Sequence, residues 1–144
     1  MAAPIVPAAR VTFVPSLGAS PFVMKLSGDL DLGSEPQVEY AMLSVWWRAP
    51  DIVLDLSELT FCGCGAVTIF IRIARRCAAS GGRLSLAAPR GIVRRLFDLV
   101  RMDDLVPVYQ SVVSAIVHDQ AERITHTVPI DQLTSSVDAA PIDP

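Results

Sequence analysis

IVLDLSELTFCGCGAV, residues 52–67, is the stretch on which the reading of this chain turns. Residues 52–56 are apolar but for Asp55 and open with two β-branched side chains, the composition of a short central strand covered on both faces. The strand runs into a loop of glycines and cysteines, and over residues 64–80 the apolar positions recur with a helical period. Val67, Phe70, Ile71 and Ala74 fall at core spacing, with Arg72, Arg75 and Arg76 facing out. The first N–H groups of a helix have no partner within it, and its dipole places partial positive charge there. Gly63, Cys64, Gly65 and Ala66 are thereby presented at an electrically charged tip.

Working outward, residues 11–14 and 22–27 read as two short paired strands around a Pro/Ser/Gly/Ala turn. Ser34 offers an N-cap with Gln37 three residues later, so a helix is expected from there to about Arg48, where Pro50 prevents continuation. Downstream, Gly81-Gly82 stops the helix that Cys64 opens. A strand over 83–87, a helix over 91–100, a last strand over 106–109 and a fourth helix over 111–124 follow. This order predicts an α/β fold, an open mixed β-sheet packed with about four helices. Residues 1–9 read as a flexible N-terminal arm, 10–124 as the domain and 125–144 as a flexible C-terminal tail.

The totals narrow the function. A chain of 144 residues, 51% apolar, holds enough for one ordinary core. A formal net charge of -3, with no basic stripe, gives no electrostatic attraction to nucleic acid or an anionic membrane. Arg72, Arg75 and Arg76 interrupt the richest apolar region, so no membrane-spanning run is expected, and MAAPIVPAAR lacks the pattern of a signal peptide. A cytoplasmic protein is the expectation. Three cysteines, an odd number, agree with a reducing compartment.

Three ordered segments carry a resemblance. LDLSELTF with its small-residue loop and helix is similar to the phosphorylation loop of the STAS domain of bacterial anti-sigma-factor antagonists; LSGDLDLGSEP (26–36) resembles that family's strand exit; PRGIVRRLFDLVRMDDLVPVY (89–109) resembles its closing helix and last strand. The resemblance spans roughly residues 11–124. It implies a protein that binds an anti-sigma factor with a kinase-like ATP-binding domain and so releases a sigma factor, with no enzymatic activity, cofactor or metal of its own. An accessory subunit of a lipid-transport ABC ATPase is the alternative that the same resemblance leaves open.

On the family pattern Gly63 falls where Asp is usual, Cys64 where the phosphorylatable Ser lies, Gly65 at the Ser/Ala position and Ala66 at the Gly. The resemblance therefore implies a switch without its hydroxyl. Cys64 is then a small residue filling a tight helix start, a redox-sensitive thiol whose oxidation puts oxygen where phosphate would have been, or, most remotely, a nucleophile. Thr60 and Thr68 are the nearest hydroxyls and the candidates for a displaced phosphosite. Asp29 and Asp31, in GDLD, are implied to form part of the partner-binding face, or else solvate a turn. Cys64 and Cys77 lie about 20 Å apart along one helix and cannot pair, a Cys62–Cys64 bridge would be strained, and the spacing supplies no metal site.

The first helix has a second apolar stripe. Val38, Ala41, Met42 and Val45 make the core side, whereas Tyr40, Leu43 and Trp47 cluster opposite. Either the C-terminal tail covers them or they are partly exposed, or else they form a second interface, with a partner or in a homodimer. His118 and His126 read as surface residues.

Overall fold

The computed structural model describes residues 10–14 and 21–127. Its elements are β1 (Arg10–Val14), β2 (Phe22–Leu30), α1 (Glu35–Arg48), β3 (Asp51–Cys62), α2 (Cys64–Ala79), β4 (Arg83–Ala87), α3 (Gly91–Val100), a single 3-10 turn (Met102–Asp104), β5 (Val108–Tyr109) and α4 (Val112–Thr127). The strands form one sheet in the order β1-β2-β3-β4-β5. β1 runs antiparallel to β2, and every later neighbour is parallel. This is the mixed sheet with four helices that the sequence predicts. The expectations for residues 1–9, for residues 128–144 and for the His126 side chain lie outside the described residues.

Alternation along the strands assigns the two faces. Met24 and Leu26 of β2, Ile52, Leu54 and Leu56 of β3, and Leu84 and Leu86 of β4 pack with Met42, Phe70, Ile73 and Phe97 into the main core under α1, α2 and α3. Their neighbours Val23, Val53 and Ala87 face the other way and meet Ala115, Val112 and Ile116 of α4. Residues 51–54 are buried without interruption because they lie between both layers; beyond them β3 alternates.

Four boundaries differ from the expectation. β2 runs to Leu30 and β3 to Cys62, because each pairs with the other beyond the point where Gly28 and Ser57 suggest turns. Two register shifts absorb the mismatch, and Gly28, at φ 84, supplies the left-handed residue at the second. The last strand shrinks to Val108–Tyr109, since residues 102–104 close a 3-10 turn first. The fourth helix continues to Thr127.

The core side of α2 is also rotated from the expected one. Ala66, Ile69, Phe70, Ile73 and Cys77 are its buried residues, while Val67, Ile71 and Ala74 are only partly covered. Apolar residues surround so much of this helix that its period alone leaves the phase open; contact with α1 and β4 selects it.

Candidate functional site

The end of β2 and the start of α2 are held side by side by the sheet. Asp29 pairs with Phe61, Leu30 with Cys62, and the Gly63 amide donates to the Leu30 carbonyl at 3.2 Å. The GDLD exit and the Cys64 loop, far apart in sequence, thus form one ledge at the carboxyl end of the parallel strands.

Each acidic residue of the ledge has a local task. Asp29 accepts a 2.5 Å hydrogen bond from the Thr60 hydroxyl. Asp31 closes a turn, its carboxylate accepting from the amides of Gly33 and Ser34 at 3.0 and 3.2 Å. Ser34 does not make the expected capping box. Its buried hydroxyl donates to the Asp29 carbonyl at 3.1 Å and accepts from the Asp31 amide at 3.1 Å, so it fastens the turn and makes no side-chain cap of α1. The Asp31 side chain remains exposed at the ledge.

Gly63, in extended conformation, precedes α2, and no side chain caps the helix. Cys64, its first residue, is exposed, in contrast to Cys62 and Cys77, which are buried; all three thiols are free. Burial pushes the Cys62 thiol up to about 11, with the neighbouring Cys64 adding to the effect, and burial alone pushes Cys77 up to about 11. Gly65 explains a contact that sequence reasoning missed. A Cβ there would stand 2.5 Å from both carboxylate oxygens of Glu35, so the bare glycine leaves room for the first side chain of α1 against the first turn of α2. A carboxylate thereby lies at the first turn of α2, the positive end of its dipole. The only hint in the sequence was a glycine at a position where a small residue with a Cβ is usual.

Along its outer side α2 changes sign. Thr68, Ile71, Arg72, Arg75, Arg76 and Ala79 line an open groove of about 430 Å³. Arg72 pairs with Glu39 of α1, and the Arg76 guanidinium lies 5.4 Å from the centre of the Trp46 ring. An acidic tip therefore leads into a basic shaft. Thr68 is exposed at their junction, whereas the Thr60 hydroxyl is engaged by Asp29.

The remaining candidates lie elsewhere. Tyr40 and Trp47 are 75% and 79% exposed, but Leu43 packs partly against the main core, so the second stripe of α1 is split. His118 is exposed on α4 and meets the Tyr109 hydroxyl at 2.9 Å, on the sheet face opposite α2. Among the described residues there is no group of three His, Cys, Asp or Glu that could hold a metal ion, and no helix is long and apolar enough to cross a membrane.

This ledge, loop and helix coincide with a known family pattern: the model of the STAS domain matches residues 11–115. The chain belongs to the STAS domain family. Solved structures show the same fold. An anti-sigma factor antagonist from Mycobacterium paratuberculosis superimposes with a TM-score of 0.67 at 24% identity, covering 77% of this chain and 95% of that one. The anti-sigma factor antagonist SpoIIAA in its unphosphorylated form gives 0.65 at 18% identity, covering 78% and 97%. The Bacillus cell-fate determinant SpoIIAA in its phosphorylated form gives 0.58 at 18% identity, covering 76% and 98%. No curated protein matches the chain. Within the STAS fold the Cys64 ledge is thus the start of the second helix, reached through the longest strand of the sheet.

Proposed function

We propose that this STAS protein is a non-enzymatic, cytoplasmic anti-sigma-factor antagonist whose docking surface is the ledge of Asp29, Asp31 and Gly63–Ala66 with Thr68 and the shaft of α2. Its partner is an anti-sigma factor with a kinase-like ATP-binding domain. The observation that carries the reading is the exposed first residue of α2, set between two glycines at the end of a strand that pairs with β2 as far as Cys62. The side chain there is a thiol and the flanking glycines have none, so serine-directed phosphorylation of this loop has no acceptor. Glu35 instead lends the tip a standing carboxylate. Docking is governed by the fit of this surface and by the pairing of its acidic tip and basic shaft with complementary charge, and oxidation of Cys64 is a modification that would add oxygen at the tip.

The test is a pull-down with the full chain, followed by calorimetry with the purified partner. Recovery of a kinase-like anti-sigma factor supports the reading; recovery of an ABC ATPase instead overturns it. Cys64→Asp puts a second carboxylate beside Glu35 in a surface that would lose its water on docking, and should weaken binding by about 2 kcal/mol, roughly thirtyfold. Cys64→Ser should bind as the native chain does. Equal affinities for the two variants would show that the tip is not the interface.

A further inference from the structure

The outer side of α2 concentrates charge of one sign. Its sixteen residues include Arg72, Arg75 and Arg76 and no acid, in a chain whose formal net charge is -3. The three stand at i, i+3 and i+4, the spacing at which like charges on a helix repel and cost it stability. Two of them are held by α1. Arg72 pairs with Glu39, and the Arg76 guanidinium lies 5.4 Å from the centre of the Trp46 ring. Arg75 is exposed on the same side and makes no ion pair with any described residue. Thr68, Ile71 and Ala79 complete the lining of the groove of about 430 Å³, which follows the helix for about 17 Å. Its floor is apolar at Ile71, which packs in part against the main core, and at Ala79.

We propose that this groove seats an acidic amphipathic helix of the docking partner, with Arg75 as the residue that takes its carboxylate. The proposal rests on the reading of α2 as part of the docking surface and adds the chemistry of what docks there. A guanidinium offers a carboxylate two parallel N–H donors, and Arg75 is the one of the three arginines that no described group holds. Arg72 and Arg76, fixed by α1, keep the field positive on either side of it. A helix lying in such a groove presents an apolar side chain every three or four residues, which meets Ile71 and Ala79, and acids flanking that stripe meet the arginines. A nucleic-acid backbone fits the site less well. It brings no aliphatic side chain to the floor, and a uniform polyanion continued past Thr68 reaches Glu35 at the first turn of α2, whose carboxylate repels it. The consequence is a division of labour along one helix: the tip admits or refuses a partner by fit, and Arg75 selects it by charge, since a basic helix in the same groove would set like charges face to face.

The experiment titrates the full chain into a fluorescein-labelled amphipathic helical peptide with leucines on one face and glutamates on the other, and reads binding by fluorescence anisotropy. The peptide should bind and be released as salt is raised, and its counterpart with lysines for glutamates should not bind. Arg75→Glu should weaken binding by about tenfold or more. Arg95→Glu makes the same change of charge at an exposed position of α3, outside the groove, and should leave binding as it is. Circular dichroism of each variant separates loss of binding from loss of fold. The proposal is overturned if the glutamate peptide does not bind, if Arg75→Glu binds it as the native chain does, or if Arg95→Glu weakens it equally, which would mark a general effect of net charge. Tighter binding of a single-stranded oligonucleotide than of the glutamate peptide would assign the groove to a phosphate backbone and overturns it too. The docking reading fails separately: a partner still recovered by the full chain, and still lost with Cys64→Asp, would leave the docking surface standing while the acid seat at Arg75 falls.

Discussion

At its first residue α2 carries an exposed thiol between two glycines, no side-chain cap, and a borrowed carboxylate from α1. At its other end the helix is bolted down. The Trp46 indole N–H donates to the Arg76 carbonyl at 3.0 Å and to the Ser80 hydroxyl at 3.1 Å, Arg76 lies over the same ring, and Cys77 is fully buried. The Gly82 amide then returns to the Cys77 carbonyl at 2.7 Å, and the space that a Cβ on Gly82 would take is filled by Pro50. One helix thus has an end built by packing and an end kept free of it. The difference teaches where this fold tolerates chemical change: the tip is left with small residues and a movable neighbour, and the packing that fixes the helix lies at its last turns.

The same substitution at the two ends should sharpen this contrast most. Gly82→Ala would place a Cβ 2.3 Å from the Pro50 carbonyl oxygen, a backbone atom that cannot step aside. It should cost about 3 kcal/mol in urea or thermal unfolding. A neutral result would mean that the β3–β4 end of the helix is not rigid and the comparison fails. Trp46→Phe keeps the ring but removes the indole donor, and should cost about 1 kcal/mol. If it costs nothing, the last turn of α2 is not held by α1. Gly65→Ala meets only the far end of the Glu35 side chain, which can swing away, and alanine is the better helix former. Its unfolding free energy should stay within about 1 kcal/mol of the native value. A loss as large as that of Gly82→Ala would show that Glu35 is fixed at the tip rather than resting there.

The cysteines give the comparison without altering stability at neutral pH. Iodoacetamide should modify Cys64 in the native chain and reach Cys62 and Cys77 only on unfolding, as peptide mass mapping will show. For those two thiols the folded value of about 11 lies above the ordinary 9.0, so the folded state holds their protons more tightly than the unfolded chain does. Their contribution to stability is whole below pH 9 and is lost as pH rises towards about 11. The denaturation midpoint should fall over that window, and Cys77→Ala should flatten the fall.

Much of this could be read in advance, and the failures have physical causes. The strand-to-helix junction at Cys64 was legible because the apolar period changes there, and the arginines of α2 were legible because charged groups seldom enter a core unpaired. Ser34 stands at the N-cap as expected, but its hydroxyl serves the preceding turn, because which of the two it serves depends on where Asp29 and Asp31 are held. The lengths of β2 and β3 were misread because their outer halves are extended by each other rather than by their own residues.

The sequence by itself determined the α/β order, the single core, the family pattern and the missing hydroxyl at position 64, since these follow from period, composition and residue identity along one segment at a time. Only the tertiary structure decided which side of α2 faces in, that Glu35 fills the space beside Gly65, and that Trp46 and Pro50 fasten the far end of the helix. These are contacts between segments some thirty residues apart, and a local pattern carries no record of the neighbour that a side chain will meet across a layer.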